Sequence, residues 1–268
     1  MAWRRPLRQW VSLAIACVSA ACAPPLKVAG PSPPRSFDRP LQLNGHTLTL
    51  HLSAGLASRR SELLVYATGD GGWRGKDREV YRQLQAWGYP VVGFSAPEYL
   101  KHLPGDEAPT TPARLAMDFA SIIDAARASL QFSPTLPVIL VGVSRGADLA
   151  VVAAGQPGLQ SELGGVVAMG LTREEEYVHR RRGPLVALEL YPYLPQLGDI
   201  PLSVIQSTRD NYLPASDARS LFGADTSRRI FHAIDARNHS FGGAREKLYS
   251  TLESSLAWVA HVGRRPPR

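Results

Sequence analysis

Val138-Ile139-Leu140-Val141-Gly142-Val143-Ser144-Arg145-Gly146-Ala147 is the stretch on which the fold turns. Its first half is an apolar run that ends in glycine, and an alanine-rich pattern of helical type follows at once. Strand, sharp turn and helix are therefore expected in immediate succession. The Gly-x-Ser-x-Gly spacing has a steric cause. A serine on so tight a turn takes a strained backbone conformation, and small residues two before and two after it let strand and helix pass closely. The hydroxyl is then held clear of the backbone, and the next amide, that of Arg145, is left to bind an oxyanion. Five common residues recur by chance, so the motif gains its meaning from the strand before it and the helix after it.

Around this unit the chain alternates strand and helix patterns. Leu41–Leu52 alternates apolar and polar about Asn44-Gly45, as a hairpin or a pair of edge strands would. Leu63–Ala67 reads as a buried strand leading into Thr68-Gly69-Asp70-Gly71-Gly72-Trp73, a glycine-rich loop. A helix over Asp77–Trp87 and a strand over Pro90–Phe94 follow. Thr111-Pro112 opens a long helix, with threonine as cap and proline at the first helical position. Beyond the elbow, strands are expected at Gly165–Leu171, Leu202–Gln206 and Ile230–Ile234, and helices near Ala215–Leu221 and Ala244–Val262. Such alternation predicts a mostly parallel central sheet covered by helices on both faces.

A serine hydroxyl is a poor nucleophile until a base takes its proton, and the base needs an orienting acid. In α/β-hydrolases these partners follow the serine in the order acid, then histidine. Leu202–Gln206 leads into Ser207-Thr208-Arg209-Asp210, and Ile230–Ile234 leads into a loop that carries His239. Both loops lie at carboxyl ends of strands, where open α/β sheets place their ligands. Ser144, Asp210 and His239 are thus the expected catalytic residues. Asp217 and Asp235 are near enough in sequence to compete with Asp210. His232 falls inside a strand pattern, while His102 and His179 lie in loops of unassigned position. The glycine-rich loop is expected to give the second oxyanion donor, from the amide of Asp70, Gly71 or Gly72, beside that of Arg145. Trp73, Asn211 and the Arg145 side chain are candidates for contact with substrate, the guanidinium either meeting an anionic headgroup or lying on the surface. Phosphate binding by the glycine loop is disfavoured, because no Lys-Ser/Thr pair follows it. Neither a metal site nor a cofactor is expected, since no cluster has metal-ligand spacing. Glu174-Glu175-Glu176 and Arg180-Arg181-Arg182 read as a solvated helix face or a small cap.

Hydrophobic residues make up 44% of the 268 and charged residues 20%, which suits one globular domain with a large core. The net charge is +7, of which Arg4, Arg5 and Arg8 supply three. That balance suits contact with anionic lipid, whereas no nucleic-acid motif or aromatic-interleaved basic stripe is present, so nucleic acid is not an expected partner. Residues 1–21 join a basic start to an apolar core too short for a comfortable membrane span, the pattern of a secretory signal peptide. Cleavage before Cys22 would leave a cysteine able to carry lipid, giving a periplasmic or envelope protein in either form. Residues 22–40 are proline-rich and read as a linker, leaving 41–268 as the domain.

The strings Thr68-Gly69-Asp70-Gly71-Gly72-Trp73, Tyr89-Pro90-Val91-Val92-Gly93 and Gly142-Val143-Ser144-Arg145-Gly146-Ala147-Asp148 together resemble the AcvB/VirJ bacterial virulence-protein family. The resemblance implies an exported α/β-hydrolase. It also implies a place among periplasmic enzymes that hydrolyse aminoacylated phosphatidylglycerol, or among proteins associated with type IV secretion. The expectation is a serine esterase acting on an acyl or aminoacyl ester, with a non-catalytic envelope binding or assembly protein as the alternative.

Overall fold

A computed structural model describes Met1 and residues 36–55, 60–101, 111–175 and 188–264. The expected signal peptide, Cys22 and most of the proline-rich stretch fall outside the described residues, as do His102 and His179. From residue 36 onward the described chain belongs to a single compact unit, Pro33–Arg268.

The elements are β1 (Ser36–Leu43), β2 (His46–Ser53), β3 (Leu63–Ala67), α1 (Gly75–Ala86), β4 (Val91–Phe94), α2 (Ala96–Lys101) and α3 (Pro112–Leu130). After them come β5 (Val138–Val143), α4 (Arg145–Ala154), α5 (Pro157–Gln160), β6 (Leu163–Met169), β7 (Glu174–Glu175), β8 (Leu188–Glu189) and α6 (Leu190–Tyr193). The last are β9 (Leu202–Ser207), α7 (Ala215–Phe222), β10 (Arg229–Ile234) and α8 (Arg245–Gly263). Eight strands form one sheet in the order β1-β2-β4-β3-β5-β6-β9-β10. The β1–β2 and β2–β4 pairs are antiparallel, and every pair from β4 to β10 is parallel.

Alternation along the parallel strands builds two cores. Leu63, Val65, Val138, Leu140, Val166 and Ala168 face the core shared with α3 and α4. Their neighbours Leu64, Tyr66, Ile139, Val141, Val167 and Met169 face the core shared with α1 and α8. Each fully buried Leu or Val side chain contributes about 1.5–3 kcal/mol, which is why strands buried on both faces read as unbroken apolar runs.

The hairpin turns on Asn44 and Gly45, both with positive φ (53° and 79°), as a two-residue turn of the twist-matching kind requires. Its first strand begins at Ser36, inside the stretch expected to be linker. Pro40 is tolerated there because β1 is the edge of the sheet, so a missing N–H costs no ladder bond on the outer side. Thr111 caps α3 as expected, its hydroxyl accepting from the Arg114 amide at 3.2 Å.

The strand order fixes where a site can form. From β3 the chain moves outward to β4 on one side and then returns to β5 on the other. The crevice at the carboxyl ends of β3 and β5 is therefore the switch point at which such sheets bind ligands. Thr68-Gly69 and Ser144 leave the sheet there.

Candidate active site

Ser144 has φ 51° and ψ −126°, a conformation rarely taken by a residue with a side chain and costing about 1–3 kcal/mol. Its amide donates to the Met169 carbonyl at 2.7 Å, while its carbonyl accepts from Ala147 (2.7 Å) and Asp148 (3.1 Å). The two flanking glycines are sterically required. A Cβ on Gly142 would stand 2.2 Å from the Gly146 carbonyl oxygen, and a Cβ on Gly146 would stand 2.2 Å from that of Ala67. Arg145 is the first residue of α4, so its amide is one of the donors a helix leaves unpaired at its start.

The glycine-rich loop is tied down on one side of the serine. A Cβ on Gly69 would lie 3.3 Å from that of Ser144. The Gly69 amide donates to Asp77 Oδ1 at 2.8 Å, and the Tyr66 hydroxyl reaches the same oxygen at 3.2 Å. Burial pushes the Asp77 carboxyl up, and the bonds from Gly69 and Tyr66 oppose that shift. Gly72 donates to the Gly69 carbonyl at 3.0 Å, closing a tight turn. Gly72 is thus corrected as an oxyanion donor, since its N–H is spent within the loop. The amides of Asp70 and Gly71 remain candidates.

Trp73 is a second correction. Past the turn its indole stacks on His51 at 3.8 Å and meets Tyr81 edge-on at 4.8 Å. It fills the space that a side chain at Gly93 would occupy, where a Cβ would lie 2.5 Å from the ring. The ring packs into the α1 side of the sheet and is absent from the lining of the cleft that holds Ser144.

Asp210 and His239 come together. His239 Nδ1 lies 2.6 Å from Asp210 Oδ2. Asp210 is buried, and it also accepts from Gln206 Nε2 (3.1 Å) and the amides of Tyr212 (2.8 Å) and Leu213 (3.3 Å). Three donors and the His239 ring nitrogen thus surround one carboxyl and fix its orientation. The other ring nitrogen, His239 Nε2, is buried and has no hydrogen-bond partner among the described residues. Two contacts tie this imidazole to the surroundings of the serine. It lies against Gly170, which follows the residue that holds the Ser144 amide, and its ring meets Tyr212, which lines the Ser144 cleft, at 4.8 Å. The competing acids are elsewhere engaged: Asp235 is exposed and pairs with Arg209 at 2.9 Å, and Asp217 opens α7 and bonds Ser216.

The cleft has a volume of about 410 Å³, and Asp70, Ser144, Arg145, Asp148, Glu175 and Tyr212 are among its walls. Asn211 is exposed and not among them, so the contact expected of it passes to Tyr212. The Arg145 guanidinium is occupied. Its Nε stands 2.6 Å from Asp70 Oδ1, and its Nη1 stands 3.4 Å from Glu175 Oε1. It straps the glycine loop to β7 across the cleft, and two carboxylates neutralise it, which corrects the expectation of an anion-binding arginine. The sequence pointed to neither Tyr212 nor Asp148 as cleft wall, and Glu175, expected on a helix face or a small cap, stands there on strand β7. The signal for Asp148 was at hand, since it lies one helical turn beyond Ser144, on the same side as the elbow.

Asp148 is fully buried and accepts from the Thr172 amide at 3.0 Å and hydroxyl at 2.8 Å. Burial first, and then the charge of Glu175, push its carboxyl well above the usual carboxylate range. The native chain therefore keeps a proton that the unfolded chain releases near pH 4. The resulting stability is fully present below that pH and is lost as pH rises towards the native value, with a slope of at most about 1.4 kcal/mol per pH unit. Asp148→Asn should flatten this decline when Tm is followed from pH 4 to 8. An unchanged slope would mean that Asp148 is ionised in the fold.

A parallel sheet with this strand order, a serine elbow after β5 and a paired acid and histidine after β9 and β10 is the architecture of the α/β-hydrolases. Solved structures agree on the fold. Est1E from Butyrivibrio proteoclasticus superposes with a TM-score of 0.61 at 12% identity, covering 83% of this chain and 99% of that one. The Pyrococcus furiosus esterase Pf2001 gives 0.61 at 14%, covering 83% and 90%. An alpha-beta serine hydrolase homologue from Coxiella burnetii gives 0.61 at 14%, covering 82% and 97%. Within this fold the chain belongs to the bacterial virulence protein (VirJ) family, whose sequence profile matches residues 61–199. No curated protein matches the chain in sequence.

Proposed function

We propose that the chain is an exported serine ester hydrolase of the bacterial envelope. The observation that carries this reading is the Asp210–His239 pair, whose Nε2 is left unpaired, together with a serine held in a strained elbow. Ser144 Oγ attacks the ester carbonyl as His239 Nε2 takes its proton, and Asp210 holds the tautomer and offsets the imidazolium charge. The amide of Arg145, with that of Asp70 or Gly71, receives the oxyanion. The ester C–O bond then breaks, the alcohol leaves with the proton from His239, and an acyl-serine remains. Water, deprotonated by the same histidine, releases the acid and restores the hydroxyl.

For substrate we infer acyl or aminoacyl esters of phospholipid, with aminoacyl-phosphatidylglycerol as the specific candidate. Membership of the VirJ family supports this, as does an open cleft beside Ser144 with room for such a group. The test is hydrolysis of a chromogenic short-chain ester and of aminoacyl-phosphatidylglycerol in mixed micelles, each with Ser144→Ala as control. Turnover of the chromogenic ester alone would keep the hydrolase and remove the lipid substrate.

Export rests on residues 1–21. Mass spectrometry of the mature protein should place its N-terminus at or near Cys22, with or without lipid. A full-length chain recovered from the cytosol would end the envelope assignment.

A further inference from the structure

Behind the elbow lies a second cavity, of about 230 Å³, between α1 and α8. Val80, Val143, Met169, Phe241 and Leu248 give it an apolar interior. Its polar rim is committed internally. Lys76 Nζ donates to the Ser240 carbonyl at 3.1 Å, Arg245 pairs with Glu79, and Asp77 Oδ1 is taken by Gly69 and Tyr66. A ligand there meets hydrocarbon, with the rim's charged groups already partnered within the protein, and this selects an apolar group.

The walls of the cavity include chain neighbours of the proposed catalytic residues. Val143 immediately precedes Ser144, and the Met169 carbonyl holds the Ser144 amide at 2.7 Å. Ser240, Phe241, Gly242 and Gly243 follow His239 directly. Phe241 adds an independent sign. Its φ is 55°, an outlier for a bulky side chain, yet the ring is only 4% exposed. The loop holds that strain through Phe241 N to Asn238 O (3.0 Å), Arg237 N to Gly242 O (2.9 Å) and Gly242 N to Asn238 Oδ1 (3.0 Å). Strain maintained beside a reacting centre points to function. The volume falls below the roughly 300–1,000 Å³ of sites that enclose a whole ligand, so it suits one arm of a larger molecule.

We propose that this cavity receives the hydrocarbon arm of the ester substrate and sets its preferred length. The proposal rests on Ser144 being the nucleophile. Either the acyl or the alcohol side of the ester could supply the arm, and the test separates them. Val80→Phe on α1 and Leu248→Phe on α8 fill the cavity from opposite walls. Each should lower kcat/KM for one long ester by about tenfold or more, while the short ester changes little. The acyl comparison is p-nitrophenyl hexanoate against p-nitrophenyl acetate, and the alcohol comparison is hexyl acetate against ethyl acetate. Loss confined to hexanoate assigns the acyl arm, and loss confined to hexyl acetate assigns the alcohol arm. Leu248→Ala should shift preference the other way, towards octanoate. Unchanged length ratios in all three variants would overturn the proposal and leave a packing void. A binding measurement separates this failure from failure of the hydrolase reading. Ser144→Ala protein should bind methyl hexanoate by NMR titration, and adding Val80→Phe should weaken that binding about tenfold. Such binding in a chain that cleaves no ester would keep the cavity and remove the hydrolase; absence of binding together with unchanged ratios would remove the cavity alone.

Discussion

Ser144→Ala is expected to lower ester turnover by about a millionfold, on the scale of other serine hydrolases. The size follows from how the residues depend on one another. The hydroxyl is the atom that bonds to substrate, and without it the His239 imidazole has no proton to take. His239→Ala should be nearly as severe, since an uncharged serine hydroxyl is a weak nucleophile. The double variant should be little worse than either single one, because two residues acting in one step cannot lose that step twice. A residual rate of about a thousandfold over water is expected from the oxyanion amides and binding. Ser144→Ala removes one oxygen from a half-buried residue and leaves the flanking glycines alone, so Tm should hold. A fluorophosphonate should label the wild type at Ser144 and leave the variant unlabelled. Wild-type protein that takes no probe and cleaves no ester would replace the enzyme reading with that of a binding protein.

The elbow was legible in sequence because its cause is local. Gly142 is demanded by the backbone of Gly146 and Ala147 a few residues on, and the motif spacing marks Gly146 although its close contact is with Ala67 on β3. The turn at Asn44-Gly45 was legible for the same reason. Asp210 and His239 could be found from chain order, since a parallel sheet returns each strand's carboxyl end to the same edge. What sequence could not give is where side chains of the cleft are held by distant partners. Glu175 enters the cleft only because a two-residue strand, β7, pairs with β8 and turns it inward, against a pattern that reads as solvated. Arg145 then finds two acids, one in sequence thirty residues ahead and one far behind, and the pairing cancels the charge that made it look like an anion site. Trp73 was misplaced because the turn closed by Gly72 sends the indole to His51 and Tyr81, and composition does not tell which way a tight loop exits.

Asp210→Asn should leave the fold intact and lower turnover roughly ten-thousandfold. The argument is one of donors and acceptors. Asp210 Oδ1 accepts from the Tyr212 and Leu213 amides, and an asparagine oxygen placed there keeps both bonds. The amide nitrogen must then sit where Oδ2 was, facing Gln206 Nε2 at 3.1 Å and His239 Nδ1 at 2.6 Å. Two donors now meet at the histidine unless the ring gives up its Nδ1 proton. It does so by moving the proton to Nε2, the atom that has to accept from Ser144. The imidazole thus stays in place in the wrong tautomer. Gln206 keeps its second bond, to the Leu213 carbonyl at 2.7 Å, which limits the structural cost. Asp217→Asn and Asp235→Asn are the controls, because the first lies on α7 and the second pairs with Arg209 on the surface. The measurement is kcat/KM on a chromogenic ester, with Tm alongside to show that each variant is folded. Full activity in Asp210→Asn together with loss in Asp235→Asn would move the acid to Asp235. Full activity in all three would mean that the imidazole needs no carboxylate, and the role assigned to the buried Asp210–His239 pair would fall.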